Sequence, residues 1–377
     1  MKLLQLITEN QLRGAEVFAA QLSDELAARG HQVVLAHLFG EGGRLSTRAG
    51  VRQVGLGGRR DGRLPFSTGI YRELRHLVGE FLPDLIQANG SETLKYAALL
   101  RLADRSRPVV YRNISVMSMW SKSPIKRRSI ALLLGRMSHI VSVTQVGVAD
   151  LVEHFGLPVS RVTAIPIGIV LHNSGDEAGR DAASDLARQN LGLPPGAPVV
   201  VHVGSFTAEK NHLALVQAFA RIVEAEPESR LLLVGDGPLR PRVEEAIAAA
   251  GLATRVLLTG ALPNADRLIS AGDVLALPSI REGLPAVILE AAAASVPTVA
   301  YDVGGVAEAI EDGVTGLVVS EGDVAGLSEA VLRILRDHSF ARQLGSAARS
   351  RVVAEFGMIE VTDRFEALYR QLTGLSR

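Results

Sequence analysis

Short apolar runs alternate with helix-length segments along this chain, and that alternation constrains the fold more than any other feature. Leu3-Leu4-Gln5-Leu6-Ile7 reads as a buried strand, Ala15 to Arg29 as a helix closed by Gly30, and His31 to Leu35 as the next strand. The unit repeats, with strands expected near 51–56, 84–88, 108–112, 139–143 and 162–165 and helices near 69–82, 92–104, 125–137 and 145–155. The clearest break is Leu193-Pro194-Pro195-Gly196-Ala197-Pro198, after which the pattern restarts at Val199 to Val203. Strands near 231–234, 255–259, 274–277 and 298–301 follow, and helices near 323–337, 339–355 and 360–373 finish the chain. Such alternation implies parallel sheets with helices on both faces. With 377 residues there is room for two such domains. The expected fold class is α/β, with Rossmann-like doubly wound domains at 1–170 and 198–357 and a linker at 171–197.

Composition excludes several classes. No run of 18 apolar residues is free of charge, so no transmembrane helix is expected. Residues 1–8 enter a strand pattern directly, so no signal peptide is expected. The chain has no cysteine, which removes disulfides and thiolate metal sites and is compatible with the cytoplasm. The net charge of zero is uneven: residues 1–168 hold 22 Lys and Arg against 13 Asp and Glu, leaving 18 and 27 for the rest. A half at +9 facing a half at −9 suits an anionic partner on the N-terminal side, a membrane surface or an acidic acceptor. Scattered surface arginine is the plainer alternative. The region from Met117 to Arg128 places the only tryptophan, Trp120, beside Lys122, Lys126, Arg127 and Arg128, ahead of Ile130 to Leu134. That pattern suits interfacial membrane contact or, alternatively, a core helix with a solvated basic end. Arg59, Arg60 and Arg63 lie in an expected mobile loop between Gly55 and Gly69.

Several strand ends carry chemistry. Val274-Leu275-Ala276-Leu277 runs into a loop holding Glu282 and Gly283, and Pro285 is placed as the first residue of the following helix. A glycine loop feeding a helix N-terminus holds anions well. Glu290, four residues after Ala286 and three after Val287, shares their helix face. Gly204-Ser205-Phe206 after the strand at 199–203 leads to Lys210, a point charge suited to a phosphate. Gly260 ends the strand at 255–259. In the first half the corresponding positions are Arg13-Gly14-Ala15-Glu16, Asn89-Gly90, and Arg112-Asn113. No G-x-G-x-x-G follows the first strand, which disfavours a dinucleotide dehydrogenase.

The spacing Glu282-x7-Glu290 with Gly-Leu-Pro inside resembles the donor site of retaining glycosyltransferases of family 4, which have the GT-B fold. Gly204 to Asn211 resembles the family's V-G-[RS]-[LF]-x-x-x-K-[GN] element, and Ile165-Pro166-Ile167-Gly168 its domain exit, with Ile167 in place of the usual Asn. Arg13-Gly14-x-Glu16 resembles its Gly-Gly-x-Glu loop, with Arg13 for the first glycine. Pro83-Asp84-Leu85-Ile86-Gln87-Ala88-Asn89 resembles its P-D-[IV]-[IV]-H-x-H stretch, with Asn89 where a histidine often stands. The resemblance covers nearly the whole chain, strong from 199 to 318 and weaker before 170.

The resemblance implies two domains facing a central cleft, with the last helix, 358–377, crossing back onto the first. It implies a retaining transferase that moves a sugar from a UDP- or GDP-sugar to a glycan or lipid-linked acceptor, in cell-envelope, lipopolysaccharide or exopolysaccharide synthesis. Donor binding would fall to Gly14, Gly204, Ser205, Lys210, Gly260, Glu282, Gly283, Leu284, Ala286, Val287 and Glu290. Glu282, Lys210 and Asn89 would act at the reacting centre, and Arg13, Arg112 and Asn113 on the acceptor side. No D-x-D motif sits in a loop expected to face the cleft, so no metal or cofactor is expected, and no nucleic-acid partner. Location would be cytoplasmic, or peripheral on the inner membrane face. Arg13, Asn89 and Ile167 motivate an alternative, an inactive scaffold of the same fold. A sugar-nucleotide epimerase is a further alternative.

Overall fold

The computed structural model describes residues 1–11, 13–40, 45–58, 66–121, 123–171, 177–262 and 266–375. Arg59, Arg60, Arg63 and Lys122 of the basic stretches lie outside the described residues. The chain divides into two compact units, Met1–Val170 with Gly357–Arg377, and Leu171–Phe356. Each is a parallel α/β domain.

The first unit runs β1 Lys2–Glu9, α1 Gly14–Ala28, β2 Gln32–Phe39, β3 Val51–Gly58, α2 Thr68–Phe81, β4 Leu85–Asn89, α3 Ser91–Ala103 and β5 Val109–Asn113. It continues with α4 Met117–Trp120, α5 Pro124–Leu134, β6 His139–Ser142, α6 Gln145–Phe155 and β7 Val162–Ala164. The seven strands take the order β3-β2-β1-β4-β5-β6-β7. Ser67 caps α2 by accepting from the Ile70 N–H, and Gly156 closes α6 in the left-handed conformation at φ 66°. Strand side chains alternate between faces. Leu4, Leu6, Ile86, Ala88, Val109 and Tyr111 therefore pack on one face with α2, α3 and α6. Leu3, Leu85, Val110 and Val141 pack on the other, with Phe18 and Leu22 of α1 and with Met358, Val361, Phe365 and Tyr369 of the C-terminal helix, Met358–Thr373.

The second unit runs α7 Glu177–Asn190, β8 Val199–Val203, α8 His212–Ala225, β9 Arg230–Val234, α9 Arg240–Ala249, β10 Val256–Gly260, α10 Asp266–Ile269 and β11 Val274–Leu277. It ends with α11 Ala286–Ala293, β12 Thr298–Tyr301, α12 Val306–Ala309, β13 Leu317–Val319, α13 Val324–Arg336 and α14 His338–Glu355. Its six strands take the order β10-β9-β8-β11-β12-β13. The stretch 171–197 falls within this unit. There Arg188 donates to the carbonyls of Ala271 and Ala197 and pairs with Asp273 at 2.8 Å.

The helix expected at 125–137 begins at Pro124 and ends at Leu134, and the one-turn helix α4 precedes it. Its apolar residues divide. Leu134 is buried and Ile130, Ala131 and Leu133 pack on the core, whereas Ile125 and Leu132 are 78% and 63% exposed. No helix among the described residues is long and apolar enough to cross a membrane.

One ion cluster ties the C-terminal helix to the first unit. Glu366 accepts from Arg29 at 3.0 Å, from Arg370 at 2.5 Å and from His31 at 3.1 Å, and Arg29 also reaches Asp363. Burial alone would raise the Glu366 pKa; the hydrogen bonds from Arg370, Arg29 and His31 outweigh it and hold the carboxyl at about 2. A depressed folded pKa gives stability that is present above the unfolded value of 4.5 and is lost as pH falls toward about 2. Glu366→Gln should therefore cost about 1–2 kcal/mol at neutral pH and flatten the acid limb between those values. Urea unfolding at pH 7 and pH 3 reads this; equal losses for both proteins at both pH values would contradict it.

Candidate active site

A doubly wound sheet binds ligands beyond its carboxyl edge, where the strand order reverses. In the second unit that point lies between β8 and β11, which pair through Val200–Val274 and Val201–Leu275. The loops leaving these two strands meet there. The Ile280 N–H donates to the Glu209 carbonyl at 2.8 Å, and the Lys210 ammonium donates to the Glu282 carboxylate at 2.6 Å. The side chain of Lys210 is 24% exposed and that of Glu282 is 9% exposed. Two residues 72 apart in sequence are thus joined by a short charge-assisted bond over the switch point.

Glycine shapes the rest of this edge. A Cβ on Gly235, at φ 142°, would strike the Gly204 carbonyl. The Gly204 N–H donates to Val234 and the Gly235 N–H to Gly260, so the ends of β8, β9 and β10 are laced by backbone alone. Gly304, at φ 56°, lies so close to the Glu282 carbonyl that a Cβ would overlap it, and the Gly305 N–H donates to the Gly283 carbonyl at 2.8 Å. The Glu282 loop is therefore fixed on both sides. Ser205 is exposed, whereas Phe206 is fully buried and anchors the loop between them. Asn211, at φ 51°, turns the chain from Lys210 into α8; Asn tolerates that region better than most residues.

The helix after Glu282 starts one residue later than the sequence suggests. Pro285 has ψ 106°, which is extended, so it is the N-cap, and Ala286 is the first helical residue. The first-turn amides of α11 at Ala286 and Val287 have no partner within the helix by position. Leu284 and Val287 are buried, and Ala286 and Glu290 are half-buried on one face.

Two histidines that sequence reasoning assigned no role lie under Lys210. His202 is fully buried and donates from Nδ1 to the Ala276 carbonyl at 2.8 Å. Its ring meets that of His212 edge-on at 4.6 Å, and Phe206 covers His212 at 4.1 Å. Burial, His212 and Lys210 push the His202 pKa down to about 3. Burial and Lys210 push that of His212 down to about 4. Both are neutral at pH 7, so neither adds charge beneath the Lys210–Glu282 pair. The signal in the sequence was a histidine within an otherwise apolar strand, Val199 to Val203.

The first unit has its reversal between β1 and β4. Asn89 ends β4 there, 2% exposed. Its amide donates to Gln5 at 3.0 Å and to the Leu6 carbonyl at 3.3 Å, and its oxygen accepts from Gln87. Gln5 donates to the Tyr369 hydroxyl, which donates to Gln87 at 2.6 Å. Asn89 is thus held by its own domain on every side of its amide. Arg112, opposite Asn89 in the β4–β5 register, is fully buried, with its guanidinium carbon 3.8 Å from the centre of the Phe18 ring. None of its three nitrogens has a hydrogen-bond partner among the described residues. Burial lowers its pKa to about 9, against the pull of Tyr369 and Glu16. Asn113 donates to the Ser115 carbonyl. Gly14 opens α1 with nothing within 4 Å of a Cβ position, and Arg13 is half-exposed, 3.8 Å from Glu9. The buried Glu16 is pushed up by burial and by Glu9, against the pull of Arg13.

The structure thus brings Gly204, Lys210, Glu282, Gly283, Ala286 and Glu290 to one edge of the second unit. It brings Asn89, Arg112 and Asn113 to the corresponding edge of the first. Among the described residues no three His, Asp or Glu side chains converge to hold a metal ion.

Comparison with known proteins identifies the family. The family model for glycosyl transferases group 1 matches residues 184–351, and that for glycosyltransferase family 4 matches residues 12–173. The chain is 31% identical over 276 residues to a 2-deoxystreptamine glucosyltransferase of Streptomyces kanamyceticus, covering 72% of this chain and 70% of that protein. It is 32% identical over 182 residues to an N-acetyl-alpha-D-glucosaminyl L-malate synthase of Bacillus anthracis, which is 48% of each chain. The chain therefore spans about half the length of that relative. Among solved structures, Anabaena HepE in complex with UDP and glucose superposes with a TM-score of 0.82, 22% identity and full coverage of both chains.

Proposed function

Because the chain belongs to the glycosyltransferases described by the group 1 and family 4 models and has their GT-B architecture of two parallel α/β domains, we propose that it transfers a sugar, with retention, from a nucleoside-diphosphate sugar to a glycan or lipid-linked acceptor. The observation that carries this reading is the meeting of Lys210, Glu282 and the α11 N-terminus at the second unit's switch point. A cation beside glycine-shaped backbone and free first-turn amides is what a departing diphosphate requires. The UDP bound by the HepE neighbour supports a uridine or similar nucleotide here.

In this reading Lys210 and the amides of Ala286 and Val287 stabilise the leaving diphosphate without a metal. Glu290 holds the ribose and Glu282 the sugar hydroxyls. The acceptor oxygen bonds to the anomeric carbon as the carbon–phosphate oxygen bond breaks on the same face, and the acceptor proton passes to the departing phosphate oxygen. A glycosidase-like double displacement has no second carboxylate assigned to it. Asn89, with its amide fully engaged, fixes the shape of the first unit's edge and transfers no proton.

Excess nucleotide tests the donor site. Binding at about 100 times the dissociation constant adds roughly 2.7 kcal/mol, so one of UDP, GDP or ADP should raise the melting midpoint visibly. Lys210→Ala should abolish the shift, and Glu290→Ala should weaken affinity about tenfold. No shift with any of the three would favour the inactive scaffold.

The same reading places the first unit against an anionic membrane. Ile125 and Leu132 are exposed on α5 beside Lys126 and Arg128, and Trp120 is 49% exposed just before it. The protein should float with vesicles containing anionic lipid and not with neutral ones, and Ile125→Glu with Leu132→Glu should release it. Equal behaviour with both lipids would contradict this.

A further inference from the structure

The Lys210–Glu282 bond has a consequence for nucleotide selection. Two of the side chains assigned to the donor, Lys210 and Glu282, are partnered with each other at 2.6 Å. Their backbones have little room to move apart. Ile280 is tied to Glu209, Gly283 to Gly305, and Gly304 lies against the Glu282 carbonyl. The neutral His202 and His212 below add no positive charge to offset an arriving anion. A diphosphate that approaches Lys210 must therefore share the ammonium with a carboxylate that repels it.

We propose that Glu282 competes with the diphosphate for Lys210, and so makes the site favour an intact sugar donor over the spent nucleotide. This rests on the donor-site reading above. An intact donor brings sugar hydroxyls that donate to Glu282, so the carboxylate can leave the ammonium without losing its hydrogen bonds. A nucleoside diphosphate brings no such hydroxyls. With it, Glu282 remains on Lys210 and the phosphates gain only part of the cation. After transfer, loss of the sugar returns Glu282 to Lys210 and loosens the product. Specificity here is a difference between two affinities, produced by a repulsive group as much as by an attractive one.

The test is calorimetric titration of the whole chain with UDP, GDP and ADP and with their glucose conjugates. In the wild type, the nucleotide that binds should bind more weakly than its sugar conjugate. Glu282→Gln should tighten the bare diphosphate roughly tenfold, the scale of one charge-assisted hydrogen bond, while turnover falls. In a Lys210→Met background, titrated at the higher nucleotide concentration its weaker binding needs, the same substitution should tighten the diphosphate by much less than tenfold, since only the direct repulsion remains and the contested cation is gone. A merely structural glutamate would lower affinity and turnover together. If Glu282→Gln does not fold, Glu282→Asp, which draws the carboxylate back from Lys210, should shift affinity in the same direction. Equal or weaker diphosphate binding by the variant, with wild-type binding intact, overturns the competition alone. Absence of binding by the wild type to all six ligands overturns the donor-site reading and the competition with it.

Discussion

A parallel sheet covered by helices on both faces has almost nowhere to do polar chemistry. Its strands are apolar throughout, its backbone groups are paired, and only the loops at the carboxyl edge are free to present charge. Both units follow this constraint in the main: Lys210 and Glu282 sit on loops of the carboxyl edge, whereas Asn89 and Arg112 are buried at the carboxyl ends of their strands. The strand orders β3-β2-β1-β4-β5-β6-β7 and β10-β9-β8-β11-β12-β13 each reverse once, after β1 and after β8. At each reversal two loops diverge and leave an opening. Glu282, Lys210, Gly204 and Glu290 gather at one reversal, and Asn89 and Arg112 at or beside the other.

The two edges differ in what they hold. The second unit presents one short ion pair over two neutral histidines, with glycine contacts too close to admit a side chain. Such backbone is stiff, so rearrangement falls to the long side chains of Lys210 and Glu282. The first unit instead seals its polar groups. Gln5, Gln87, Asn89 and Tyr369 satisfy one another on the sheet face covered by the C-terminal helix, and Arg112 lies beside them on Phe18. A satisfied buried network fixes geometry strongly, whereas an unpaired guanidinium is costly in the same environment. Burial disfavours the Arg112 charge and lowers its pKa, and the Phe18 ring face in contact offsets part of that cost.

The alternation of strands and helices was readable because its periods are local: two residues in a strand and 3.6 in a helix. The carboxyl-edge placement of Lys210 and Glu282 was readable for the same reason, as each follows a recognisable strand within a few residues, and Glu290 follows from its helical spacing to Ala286 and Val287. What escaped was long-range. Nothing near Asn89 indicates that its amide meets Gln5, 84 positions away, or that Tyr369 of the last helix closes the network. The bond between Lys210 and Glu282 spans 72 positions and depends on β8 and β11 being neighbours. The start of α11 was off by one residue because proline fixes φ and leaves ψ open, and at Pro285 ψ is extended. The apolar run from Ile130 to Leu134 leaves core helix and membrane face open in the sequence; packing divides it between core and surface.

The central claim is that the second unit's switch point holds the diphosphate of a sugar donor on Lys210. The most direct measurement is a crystal structure of the protein grown with the nucleotide that stabilises it. The account predicts phosphate oxygens within hydrogen-bonding distance of the Lys210 ammonium and of the Ala286 and Val287 amides, with the ribose against Glu290. Nucleotide bound elsewhere, with Lys210 remote from every phosphate, would contradict it.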